Sequence, residues 1–185
     1  MQLLSIDQIR EKLDLAFLPL EPALSGLRLI EGGASSQALD TVETTLGMLL
    51  PSDFRQLVQT YDFGRLTVGP VAFGYSGSYP SELLDLNRPG PASTAGLKQA
   101  GLLLIAHSDP YRILLRSADG AVLASDVELP WPTAERVASS FLVFLRGVGT
   151  VLSNRVDCND RVALAQNVAA LVAAESFEYW RQLAA

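Results

Sequence analysis

The 185-residue chain holds one cysteine, one histidine, two methionines and two lysines, and each scarcity removes a class of chemistry. With Cys158 alone there is no intrachain disulfide and no zinc site built from several thiolates, and Cys158 reads as a small half-buried side chain on the approach to a helix. The single histidine, His107, stands in "IAHSDPY" beside Ser108 and Asp109. A turn cannot align three consecutive residues as nucleophile, base and orienting acid, so the expectation is a histidine at a strand end rather than a catalytic triad. A Gly-x-Ser-x-Gly elbow is missing, and "RPGPASTAGLK" lacks the Gly-Lys-Ser/Thr ending of a phosphate-binding loop. Nothing in the pattern nominates a carboxylate pair for glycoside chemistry. These absences nominate no catalytic constellation, and no metal and no cofactor are expected.

Long apolar runs are also lacking. Although 49% of residues are hydrophobic, no uninterrupted stretch approaches the roughly 20 residues needed to cross a membrane. The opening "MQLLSIDQIREKLDL" mixes charges early and does not read as a secretory signal, so no membrane partner and a cytoplasmic location are expected. Positive charge is in deficit: 14 basic residues against 20 acidic give a net charge of −6. Nucleic acid is therefore not the expected partner, because that affinity rests on Lys and Arg neutralising phosphates. An acidic surface instead favours basic partners.

What is present reads as one α+β domain spanning 1–185. Ser5 and Gln8 form a capping box ahead of a helix over about 5–18, with Ile6, Ile9, Leu13 and Phe17 at helical spacing. A short strand is expected at Leu27–Ile30, then a helix over 36–48 with Leu39, Val42, Leu46 and Leu49 on one stripe and Asp40 and Glu43 favourable to its dipole. In "LGMLLPSDFRQLVQTYDFGRL", Gly47 ends that helix and Pro51 with Ser52 and Asp53 starts another, striped by Phe54, Leu57, Val58 and Tyr61. Strand-like "RLTVG" and "VAFGY" follow, and a short helix is expected over 81–86. Three strands come next, at 102–106, 111–116 and 121–126, the last two joined by a hairpin at Asp119-Gly120. Thr133 is expected to cap a helix reaching Val148, Asp160 another, and "SFEYWRQLA" a final short one. The simplest assembly is an antiparallel, meander-like sheet with helices packed against it.

Candidate binding residues are the exposed-looking acids on and beside that sheet: Asp62, Glu82, Asp85, Asp109, Asp119, Asp126 and Glu128. Asp119 is accounted for by its turn. Asp126 and Glu128 stand near Trp131, and an aromatic beside acids is the composition of an interface anchor with a charged rim. Trp131 as plain core is the competing reading.

Three stretches in order resemble the SUKH superfamily of Smi/Knr-like domains. "VETTLGMLLPSDFRQLVQTYDFG" is similar to that family's helix, Leu-Pro-x-Asp corner, second helix and turn. "LLLIAHSDPYRILLRSADGAVLASDVE" is similar to its consecutive strands, with an acid before an aromatic and a final Asp-x-Glu, and "VASSFLVFLRGV" to its Ser-Phe-x-x-Phe-Leu helix. The family-like core spans about 35–148; the N-terminal helix and a helical extension over about 157–184 lie outside it. The sequence departs from the family in Pro110 and in a single glycine, Gly64, after the second helix. The resemblance implies a non-catalytic domain that binds and neutralises a bacterial toxin, with Asp62, Glu82, Asp85, Asp109, Asp126, Glu128 and Trp131 as the partner-binding candidates. A scaffold or regulatory interaction domain of the same fold is the alternative.

Overall fold

Alternating apolar residues and Gly-containing turns between 67 and 138 build a six-stranded sheet in which each strand pairs antiparallel with the next in sequence, a meander ordered β1-β2-β3-β4-β5-β6. The strands are β1 (Thr67–Val68), β2 (Val71–Ala72), β3 (Leu102–Ser108), β4 (Tyr111–Arg116), β5 (Val122–Asp126) and β6 (Glu135–Ala138). The helices are α1 (Ile6–Phe17), α2 (Ser36–Leu46), α3 (Ser52–Thr60), α4 (Tyr79–Leu86), α5 (Phe141–Asn154), α6 (Arg161–Leu171) and α7 (Glu178–Ala184). The structure is a computed structural model and describes residues 1–90 and 96–185. The architecture is α+β, as the pattern predicts.

Side-chain alternation gives the sheet two unequal faces. Leu103, Ile113, Leu115, Val122 and Ala124 point into the main core with α3, α5, α6 and α7. Leu102, Leu104 and Leu114 point the other way into a smaller cluster with Leu97 and the half-buried Trp131. A bulge at Ile105 shifts the register, so that Leu104 opposes Leu114 on one face while Ala106 opposes Ile113 on the other.

β2 is only two residues long and pairs with His107 and Ser108, leaving the rest of that β3 edge without a strand neighbour. Helix α4 takes its place. Asn87 Nδ2 donates to Leu104 O at 2.8 Å, Leu104 N donates to Asn87 Oδ1 at 2.8 Å, and the buried Tyr79 hydroxyl donates to Ile105 O at 2.8 Å. A side-chain amide thus reproduces the pairing a missing residue would have made.

The corner at Pro51 behaves partly as expected. Gly47 closes α2 at φ 63°, and Phe54, Leu57, Val58 and Tyr61 are all buried. Phe54 meets Phe141, the first residue of α5, edge-on at 4.7 Å. Pro51 takes the N-cap position and offers no capping side chain, while Asp53 serves two helices: Oδ1 accepts from Phe54 N of its own first turn at 2.8 Å, and Oδ2 from Leu142 N at 2.9 Å, capping α5 89 residues away. Asp40 and Glu43 do not sit in the first turn of α2; both grip Arg55 of α3, at 2.6 and 2.9 Å. Leu49 falls beyond the end of α2 and is 74% exposed.

Two expected elements are corrected. Residues 27–30 form no strand: Asp62 N donates to Ile30 O and Thr67 N to Gly26 O, but only the single bridge Glu31–Tyr61 forms, so no ladder runs. The helix expected from Thr133 begins instead at Phe141, capped by Ser140. The open edge of β5 captures Glu135–Ala138 as β6, and Thr133 Oγ1 bonds Pro130 O within a 3-10 turn. Val137, Phe141, Phe144, Leu145 and Val148 still face the core. The spacing suits either geometry; the vacant edge decides.

The N-terminal and C-terminal helices belong to the main body. The Ser5–Gln8 capping box forms, and α1 crosses α5 so closely that a Cβ on Gly149 would lie 2.5 Å from Ile9 Cδ1. Trp180 of α7 is fully buried, with Nε1 donating to Val137 O at 3.0 Å. Among the described residues, no helix is long and apolar enough to cross a membrane.

Candidate functional site: an acidic sheet end around Tyr111

The candidates chosen from sequence do not share one site. Asp109, Asp126 and Glu128 come together at one end of the sheet. The β3–β4 turn carries Asp109, Tyr111 opposes Asp126 across the β4–β5 ladder, and Val127 N donates to Pro110 O at 2.9 Å. That last bond ties the turn to the 126–128 segment. Asp126 Oδ1 accepts from Glu128 N at 2.8 Å, which leaves the Glu128 side chain in solvent.

The remaining acids lie elsewhere. Asp62 is half-buried and turns the chain by accepting from Gly64 N at 2.8 Å, and it borders a small pocket with Ser78 and Pro80. Asp85 is exposed on α4 and paired with Arg88. Glu82 accepts from Tyr75 N and acts on His107, which sits inside β3 rather than in the turn after it. Burial and the neighbouring Arg112 push the His107 imidazolium down from its usual pKa, while Glu82 pulls the other way. Asp119 forms its expected turn, accepting from Ala121 N and bound by Arg116 at 2.8 Å, and its carboxyl is held low.

Trp131 closes the small cluster on the second face, where its ring lies against Gly96. The aromatic at the acidic end is Tyr111, half-buried, edge-on to Tyr179 of α7 at 5.3 Å. Burial pushes its phenol up, reinforced by the fields of Glu178, Asp126 and Glu135 and opposed by Arg181. Glu178 is itself bound by Arg181, whose hydrogen bonds together with that of Gln182 hold its carboxyl down at about 2.

Tyr111, Glu135 and Glu178 were not among the candidates. "DPYR" contained the signal for Tyr111, an aromatic two residues after an exposed acid. Glu135 was hidden because its segment reads as helix; only as β6 does it lie opposite Ala124, beside Tyr111 and Asp126. Glu178 arrives through the docking of α7, 67 residues further along the chain.

Charge pairing divides the acids. Arginines hold several of those on the helices: Arg28 binds Asp14 and Glu21, Arg55 binds Asp40 and Glu43. Asp109, Asp126, Glu128 and Glu135 take part in no ion pair among the described residues. Exposed Val127 and Leu129 stand among them. An aromatic with apolar neighbours inside a rim of unpaired carboxylates is a surface suited to docking a cationic partner. Among the described residues, no group of three or more His, Cys, Asp or Glu side chains is placed to hold a metal ion. Neither a scan of protein-family models nor a search of curated proteins finds a match to this chain.

Proposed function

We propose that the protein is a non-catalytic binding domain that docks a basic protein through the acidic end of its sheet, and that this partner is a toxin which the domain neutralises by covering an essential surface. The observation that supports docking is the set of unpaired carboxylates Asp109, Asp126, Glu128 and Glu135 around Tyr111. The toxin reading rests on the resemblance of 35–148 to the SUKH superfamily, whose helix–corner–helix, strand and Ser-Phe-x-x-Phe-Leu segments correspond here to α2–α3, β3–β5 and the start of α5. Unpaired acids raise the rate of encounter with a basic surface, and a docked domain then excludes substrate by its bulk.

Co-expression with the product of an adjacent gene tests the reading. A lethal product tolerated in the presence of this chain, and a complex of the purified pair at micromolar concentration in low salt, are expected. Reversing Asp126, Glu128 and Glu135 to lysine is expected to slow association by about tenfold or more and to flatten its salt dependence. No association in low salt overturns the toxin reading. An unchanged on-rate in the triple variant removes this end of the sheet from the interface.

A further inference from the structure

A second surface has opposite character. Helix α1, the β1–β2 turn and the C-terminal half of α5 enclose an open apolar groove of about 490 Å³, walled by Ile9, Leu13, Phe17 and Leu152. No acid lines it; Lys12 and Arg155 do. Neither cation enters an ion pair among the described residues, although seven of the chain's arginines do. Among the described residues the Arg155 guanidinium donates only to the Leu183 carbonyl, at 3.3 Å. On a chain of net charge −6, an apolar groove bordered by two uncompensated cations is chemically distinct from the rest of the surface.

The complement of this groove stands on its own wall. Leu15 of α1 is 83% exposed, and Val156 across the groove is 80% exposed. Glu11, one helical turn before Leu15 and on the same side of α1, is exposed and enters no ion pair among the described residues. An apolar and acidic ridge therefore adjoins an apolar and cationic groove. A twofold axis crossing α1 makes each ridge meet the other copy's groove, so the contact closes on itself.

We propose that two copies of this chain associate through α1, with Leu15 of each seated in the groove of the other and Glu11 facing Lys12 across the axis. Two such grooves bring together the exposed leucine, the exposed valine and both cations of each copy. A contact built mainly on one helix falls at the small end of stable interfaces, about 1,200 Å² or less, so a micromolar dimer is expected. The inference is independent of the acidic sheet end, none of whose carboxylates line the groove.

Sedimentation equilibrium of the full chain from about 1 to 200 µM in low salt is the test. The expected result is a concentration-dependent passage from the 19.9 kDa chain to twice that mass. Leu15→Glu is expected to leave a monomer throughout, with an unchanged far-UV spectrum because the side chain is exposed, and with a melting curve that no longer depends on concentration. Glu11→Lys and Lys12→Glu are each expected to weaken the dimer by about tenfold, and the double swap to restore it to within about threefold. A wild-type monomer at the highest concentration, as would follow if another protein's acidic helix fills the groove, overturns the proposal. So does a dimer whose affinity is unmoved by Leu15→Glu, or a double swap that fails to restore it.

Discussion

Replacing Asn87 with alanine removes the side chain that pairs with both backbone groups of Leu104 on the open edge of β3. In the native structure Leu104, 3% exposed, gives its N–H to Asn87 Oδ1 and receives Nδ2 on its carbonyl, both at 2.8 Å. The reciprocal geometry also settles which end of the amide is which, since a flipped amide would set donor against donor. Alanine leaves a buried donor and a buried acceptor without partners, at about 1–3 kcal/mol each, and removes the Nδ2 bond that closes α4 on Leu83 O. Partial access of water through the space vacated by the amide offsets part of this, so the expected loss is about 2–4 kcal/mol. For a domain of this size each kcal/mol lowers Tm by about 2–4 °C, which makes the expected shift about 4–16 °C. Asn87→Asp keeps the acceptor but sets a carboxylate oxygen against two carbonyls, and is expected to be no milder at neutral pH. Urea titration gives the free energy, and hydrogen exchange at the Leu104 amide reports the local event. A loss below about 0.5 kcal/mol with unchanged exchange at Leu104 would refute the view that α4 substitutes for a strand.

Two further perturbations test the electrostatics and the packing. His107 binds its proton less tightly folded than unfolded, so its contribution to stability is fully present above the ordinary pKa of 6.5 and is lost as pH falls below it; His107→Asn is expected to flatten the stability profile between about pH 7 and 5, and an NMR titration of the imidazole that returns a value of 6.5 or above would contradict the burial argument. Gly149→Ala places a Cβ 2.5 Å from Ile9 Cδ1 and is expected to cost about 1–3 kcal/mol, with Ile9→Ala in the same chain recovering part of that loss; additive effects of the two changes would mean that α1 and α5 do not touch there.

The local grammar of the chain was readable wherever the partners of a group lie within a few residues. The Ser5–Gln8 box, the Gly47 stop, the Asp119-Gly120 hairpin and the Asp160 cap each form as their residues dictate, because a cap or turn is complete within one turn of chain. Asp53 shows where such reading stops short. One oxygen accepts from Phe54 N in its own first turn, as a local cap should, but the other caps α5, beside the Phe54–Phe141 contact that brings the two helices together. Tyr111 shows the same limit: its place among the acids follows from its pairing with Asp126 and from the docking of α7, neither of which is local.

By itself, then, the sequence determined the class of the fold, the order of most elements and the acidic balance. Hydrophobic period and turn chemistry are local quantities, and they survive in any tertiary context. Only the tertiary structure decided that residues 135–138 join the sheet, that Glu135 and Glu178 close a rim around Tyr111, and that Lys12 and Arg155 meet at one apolar groove. Those outcomes depend on which hydrogen-bonding edges remain vacant and which cations find no carboxylate, and both are properties of the assembled molecule.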